Sequence, residues 1–161
     1  MASLIRLKKE VENSSGYTTK FTFTGANEAH LLAKEIGEAG IGVILTPSRP
    51  FPGTWESRRI LPGPPLIEHS AVSVLHANGV KVGLGVEEQW DARNLRFAIG
   101  WAALEANGRL TKADALALGS INLEVLLGLE TENSDLVATK GGGIVDFEGK
   151  VVAIISTTQG K

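Results

Sequence analysis

The sequence predicts an α/β fold, a parallel sheet with flanking helices that finishes in antiparallel strands. Three observations predict it. Short runs of β-branched and small apolar residues, bounded by glycine, alternate with helical patterns between residues 20 and 104. Strands that alternate with helices imply crossover connections and hence a parallel sheet. The sharpest such unit is residues 79–104, GVKVGLGVEEQWDARNLRFAIGWAAL, which passes from a buried strand through an acidic loop into an apolar helix. Beyond residue 135 the helical period disappears, and two β-rich runs flank a Gly-rich turn.

Residues 2–13 set Leu4, Leu7 and Val11 on one face and Arg6, Lys8, Lys9, Glu10 and Glu12 around the rest. That pattern predicts an amphipathic helix, ended by Asn13-Ser14-Ser15-Gly16. Residues 20–24 alternate Phe and Thr, as a strand does, up to Gly25. Asn27 is placed to cap a helix whose buried stripe is Ala29, Leu32, Ala33 and Ile36, and Gly40 ends it. Residues 42–45 form the next strand. All six prolines then fall between Pro47 and Pro65, and proline both removes backbone donors and fixes φ, so a long stiff loop is expected. Residues 68–78 make a short helix closed by Gly79, and residues 80–86 a strand. In the helix after it, Leu95, Ala98, Ile99 and Ala102 form the buried stripe, with Phe97, Trp101 and Leu104 widening it until little polar face remains. Thr111-Lys112-Ala113-Asp114 is a capping box that starts a helix to Leu118. Residues 121–127 are helical up to Gly128, and residues 136–139 and 151–155 are strands.

The totals exclude several classes of function. The 161 residues, 43% hydrophobic and 21% charged, suit one globular domain spanning 1–161. With no cysteine, the chain has no disulfide, thiol nucleophile or cysteine metal site. No apolar stretch approaches the roughly 20 residues of a membrane span, and no signal-peptide core is visible near Met1, so a cytoplasmic protein is expected. A net charge of −2 with scattered basic residues gives no footprint for nucleic acid.

Chemistry is expected just past the carboxyl ends of parallel strands. That singles out Glu87 as a base or ligand, with Glu88 and Trp90 beside it; the alternative is a solvated loop carboxylate without convergent partners. The proline-rich loop carries Arg49, Trp55, Glu56, Arg58 and Arg59. Arginines beside an aromatic suit a carboxylate, phosphate or sugar. Equally, the loop can be a stiff flap, with Phe51 and Trp55 as anchors and arginines paired to Glu56 and Glu68. His30 reads as an exposed helix histidine, and His69 and His76, seven residues apart, lack the spacing of a helical zinc pair. No G-x-S-x-G elbow and no phosphate loop are present.

The run TFTGANEAHLLAKEIGEAGIGVILTP, the proline-rich loop, and LHANGVKVGLGVEEQWDARNLRFAIGWAALEANGRLTKADALALGSINLEVLLGLE together resemble the C-terminal part of amidohydrolases. The resemblance is to imidazolonepropionase-like and N-acetylglucosamine-6-phosphate-deacetylase-like members, of fungal type. The tail DLVATKGGGIVDFEGKVVAII resembles the strands that follow the barrel in that family. The resemblance implies half of a TIM-like barrel, entered at its fifth helix, with closing strands at about residues 135–156. It also implies where the family's metal ligands would fall. The sixth-strand histidine slot lands on Thr24 or Gly25, the eighth-strand aspartate slot on Glu87 or Glu88, and the earlier ligands have no position in this chain. No metal site and no cofactor are therefore expected.

The function these features lead to is a truncated amidohydrolase-like protein, non-catalytic, self-associating as a dimer through its open sheet edges. It would act as a binding or defence-type protein for a sugar or other small polar ligand at Arg49, Trp55, Arg58, Arg59, Glu88 and Trp90. The alternative is a zinc-dependent hydrolase of C–N bonds, rebuilt around Glu87 or completed by a partner chain.

Overall fold

The computed structural model describes residues 1–49, 59–129 and 135–156. Helix α1 (Ala2–Ser15) ends on Gly16 at φ 71, a left-handed position that glycine adopts without a Cβ penalty. Its buried positions are Ile5 and Lys8 rather than the Leu4, Leu7, Val11 stripe, which stays exposed. The reason is an ion pair. Lys8 donates to Glu12 at 2.6 Å, and the same carboxylate oxygen accepts from the Thr19 backbone N–H at 2.7 Å, which ties that side of the helix to the chain entering the sheet.

Strands β1 (Thr22–Thr24), β2 (Gly42–Leu45) and β3 (Val82–Leu84) form a parallel sheet in the order β1-β2-β3. Helix α2 (Ala33–Glu38), preceded by a 3-10 turn over Ala29–Leu32, links the first two strands. Helix α3 (Ala71–Ala77) leads into β3. The residue at the N-cap of the 3-10 turn is Glu28, which makes no side-chain cap; Asn27 is buried instead of capping. The predicted β-runs were longer than these strands because apolar residues continue past the last paired backbone group.

Side chains alternate across the sheet. Phe23, Val43, Leu45, Val82 and Leu84 join one core with Ile36, Val72, Leu75, Ile99 and Ala102 from the helices. Helix α4 (Leu95–Glu105) follows a 3-10 turn over Gln89–Asn94 and buries Ile99, Gly100, Ala102 and Glu105. The expectation of burial nearly all round this helix is corrected, since Phe97 and Leu104 are exposed and Trp101 is half-buried. Only one side of α4 meets the sheet and α5, and a single sheet can cover only one stripe of a helix.

Helix α5 (Lys112–Leu118) starts at the capping box, with the Thr111 side chain accepting from the Asp114 N–H and Asp114 accepting from the Thr111 N–H. Helix α6 (Ile121–Leu127) crosses to the opposite face of the sheet. A Cβ on Gly42 would stand 1.9 Å from Leu126 Cδ2, and one on Gly83 would stand 2.6 Å from Leu123 Cδ2. These two glycines therefore create the space in which α6 lies. The Thr22 hydroxyl donates to the Leu126 carbonyl at 2.9 Å, and the Asn122 amide donates to the Val82 carbonyl at 2.8 Å, an oxygen that β2 leaves unbonded.

Strands β4 (Leu136–Lys140) and β5 (Lys150–Ile155) pair antiparallel as a separate hairpin. Arg96 on α4 holds the turn, donating to the carbonyls of Ile144 at 2.6 Å and Asp146 at 3.1 Å and also to that of Gly149. Lys112 pairs with Asp146 at 2.8 Å. The strands themselves have exposed apolar residues on both faces, Leu136, Val137, Val152 and Ile154 among them. The α/β class, parallel sheet and closing antiparallel strands thus agree with the expectation. No helix among the described residues is long and apolar enough to cross a membrane.

Candidate functional site

The carboxyl ends of β2 and β3 run side by side into Thr46 and Gly85. A Cβ on Gly85 would approach the Thr46 hydroxyl oxygen to 2.3 Å, so the two chains can lie this close only because residue 85 has no side chain. Beyond them opens a cleft of about 520 Å³ whose walls include Ser48, Arg49, Asp91, Asn94, Phe97 and Trp101.

Arg49 organises this cleft. Its guanidinium lies over the Trp101 ring, 4.2 Å from the centroid, in cation–π geometry. It also donates to Glu105 Oε1, which accepts from Trp101 Nε1 at 3.0 Å as well. Trp101 and Glu105 stand one helical turn apart on α4, so one face of that helix supplies both the ring and the carboxylate. Glu105 is only 8% exposed. Burial pushes its carboxyl above the usual carboxylate range, against the opposing pull of the Arg49 charge and the hydrogen bonds from Trp101 and Arg49. Across the cleft, Asn94 donates to Asp91 at 3.0 Å.

Chemically, a guanidinium paired to a carboxylate, an aromatic corner formed by Trp101 and Phe97 at 5.3 Å in T-shaped contact, and an Asp–Asn pair suit an uncharged polar ligand. A carboxylate or phosphate would have to compete with Glu105 for Arg49.

The sequence-predicted residues are distributed as follows. Arg49 lies in the cleft wall. Glu87 and Glu88 are exposed on the loop after β3, and their side chains make no hydrogen bond among the described residues. Trp90 is 62% exposed on the 3-10 turn, where its carbonyl accepts from Arg93 at 2.9 Å. Arg59 contributes its backbone N–H to Glu28 at 2.7 Å. Phe51, Trp55, Glu56 and Arg58 lie outside the described residues. Glu68 pairs with Arg109, not with a loop arginine among the described residues. His30 is half-buried rather than exposed, and burial lowers its pKa against the opposing effects of the Asn27 backbone and Glu28.

The zinc of the family that the sequence resembles finds no donor set among the described residues. Among the described residues, no group of three or more His, Cys, Asp or Glu side chains converges. Thr24 and Gly25 offer no ligand at the sixth-strand slot, and a lone Glu87 does not hold a structural or catalytic ion. Sequence reasoning missed Trp101 and Glu105. The signal was a carboxylate one turn beyond an aromatic in a mostly apolar helix, a residue type rarely buried without a partner.

No family model matches the chain, and no solved structure matches it. It is 40% identical over 122 residues to "Amidohydrolase tasK" of Hapsidospora irregularis. The match covers 76% of this chain but only 12% of that relative. The chain is therefore amidohydrolase-like in sequence, by its similarity to a fungal protein of that class of which it spans a small part.

Proposed function

We propose that this chain is an amidohydrolase-like half barrel that does no metal-dependent hydrolysis by itself, self-associates, and binds a small neutral polar ligand such as a sugar. The observation that carries the reading is the cleft at the strand ends, where Arg49 is held between Glu105 and Trp101 and no metal donor set converges among the described residues. Sugars are recognised by aromatic faces together with a few oriented polar groups, the inventory that Trp101, Phe97, Asp91 and Asn94 provide. Self-association is supported by the outer edge of β1, by the exposed Leu4 and Leu7 of α1, and by the two-sided β4–β5 hairpin. An isolated two-stranded hairpin is marginal in water, and contiguous exposed apolar surface marks an interface.

The test combines ultracentrifugation at micromolar concentration, metal analysis after zinc loading, and a monosaccharide titration followed by Trp fluorescence. A dimer, substoichiometric zinc and saturable quenching lost in Trp101→Ala are the expected results. A monodisperse monomer removes self-association, and unaltered quenching in Trp101→Ala removes the cleft.

A second reading, hydrolysis of C–N bonds with the remaining ligands supplied by another polypeptide, is favoured by the position of Glu87. It follows the carboxyl end of β3 with its side chain exposed and unbonded among the described residues. Stoichiometric zinc in a reconstituted complex, lost with amide hydrolysis in Glu87→Gln, would support this reading over the first.

A further inference from the structure

Behind Arg49, on the helical side of the sheet, lies a second cavity of about 300 Å³. Leu45 and Leu84 at the strand ends, Ile60 and Pro62 from the loop, and Val72 and Ala102 from the helices make its walls largely apolar. Asn27 also lines it. Asn27 is only 7% exposed, and its Oδ1 has no hydrogen-bond partner among the described residues. Nor does its amide nitrogen donate to any group among the described residues. A buried polar group without a partner costs about 1–3 kcal/mol, and native structures rarely tolerate one without a reason.

Of the other polar side chains around the cavity, Arg49 pairs with Glu105, and Ser70 is occupied in the capping box of α3 with Ser73. The Ser48 hydroxyl also lines the wall and makes no hydrogen bond among the described residues. A charged ligand would have to break the Arg49–Glu105 pair to find a counter-ion. The geometry points to a binding site for a small, uncharged, mainly apolar molecule bearing one hydroxyl, which donates to Asn27 Oδ1 while its hydrocarbon body fills the space between the sheet and α3 and α4. The volume is at the small end of ligand pockets, which restricts the occupant to fragment size. Asn27 is here a specificity-determining residue, and the site adjoins the cleft in front of Arg49, with which it shares Ser48, Arg49 and Ala98.

The test is saturation-transfer NMR with cyclohexanol, and with cyclohexanecarboxylate as the charged counterpart, supported by thermal melting. Cyclohexanol should bind saturably and raise the melting temperature, and the carboxylate should not. Asn27→Ala should weaken cyclohexanol by about tenfold, the equivalent of one hydrogen bond at about 1.4 kcal/mol. Ala102→Leu, which fills the cavity without touching Asn27, should abolish binding while circular dichroism stays unchanged. No saturable binding, equal binding of the carboxylate, or binding that survives both substitutions would overturn the site. Neither substituted residue lines the cleft, so quenching by a monosaccharide is expected to persist in both variants, and the two proposals fail separately.

Discussion

Replacing Glu105 with alanine isolates what the Arg49 cluster contributes. The substitution removes a carboxylate that is 8% exposed and leaves the Arg49 side chain, 32% exposed, without its counter-ion. Breaking a fully buried pair by removing one partner costs about 3–5 kcal/mol. Water reaches a third of Arg49, so the lower end applies, about 2–3 kcal/mol. Trp101 Nε1 loses its acceptor as well, which adds about 1 kcal/mol. The expected loss is therefore about 3–4 kcal/mol out of the 5–15 kcal/mol that holds a domain of ordinary stability together. Glu105→Gln keeps an oxygen in place for both donors and should cost about 1 kcal/mol. That asymmetry follows from the raised pKa, because burial already penalises the charged form. Removing both charges in Arg49→Met/Glu105→Leu should recover much of the loss, as apolar replacement of a buried ion pair often does. Urea denaturation of the four proteins, read as a double-mutant cycle, measures the coupling. A loss below about 1 kcal/mol in Glu105→Ala, or additive single and double variants, would refute the argument that the pair is a coupled unit.

Gly83→Val should displace α6, because its Cβ would meet Leu123 at 2.6 Å; amide exchange should show residues 121–127 losing protection before the β1–β3 sheet does. Truncating Leu123 to alanine in the same chain should restore protection, and failure to do so would mean that the two residues do not share this space. Acid should destabilise the fold with a specific signature. Glu12, Asp114 and Asp146 are held below the usual carboxylate range, chiefly by hydrogen bonds from Lys8, Thr111 and Lys112 respectively. Their stabilisation is present above the unfolded values and is lost as pH falls through the lowered folded ones. Glu105, raised by burial, has the opposite sign: its contribution is full below the unfolded value and is lost as pH rises through the folded one. Chemical denaturation between pH 2 and 7 should therefore show a steep acid limb that is flattened in Asp146→Asn, and a neutral-side decline that disappears in Glu105→Gln.

Much of the fold was legible because local chemistry and global packing agree there. The capping box at Thr111 and Asp114, the glycine that ends α1 and the short apolar runs around β2 and β3 each need only their neighbours in sequence to be understood. Helical faces were harder. Leu4, Leu7 and Val11 have the periodicity of a buried stripe, yet they are exposed, because what covers a face depends on which elements lie opposite it. The same holds on α4, where Leu104 and Phe97 project away from the one sheet available.

The site divides along the same line. Sequence alone determined that the strands run parallel and that Arg49 follows closely on the strand at 42–45. Tertiary structure decided how the Arg49 charge is used. Contacts between residues 49, 101 and 105, and the empty space behind them at Asn27, join positions up to 78 places apart along the chain. Such pairings are set by the docking of α4 against the β2–β3 ends. A carboxylate on a helix has no sign or strength as a functional group until burial and its partners have been assigned.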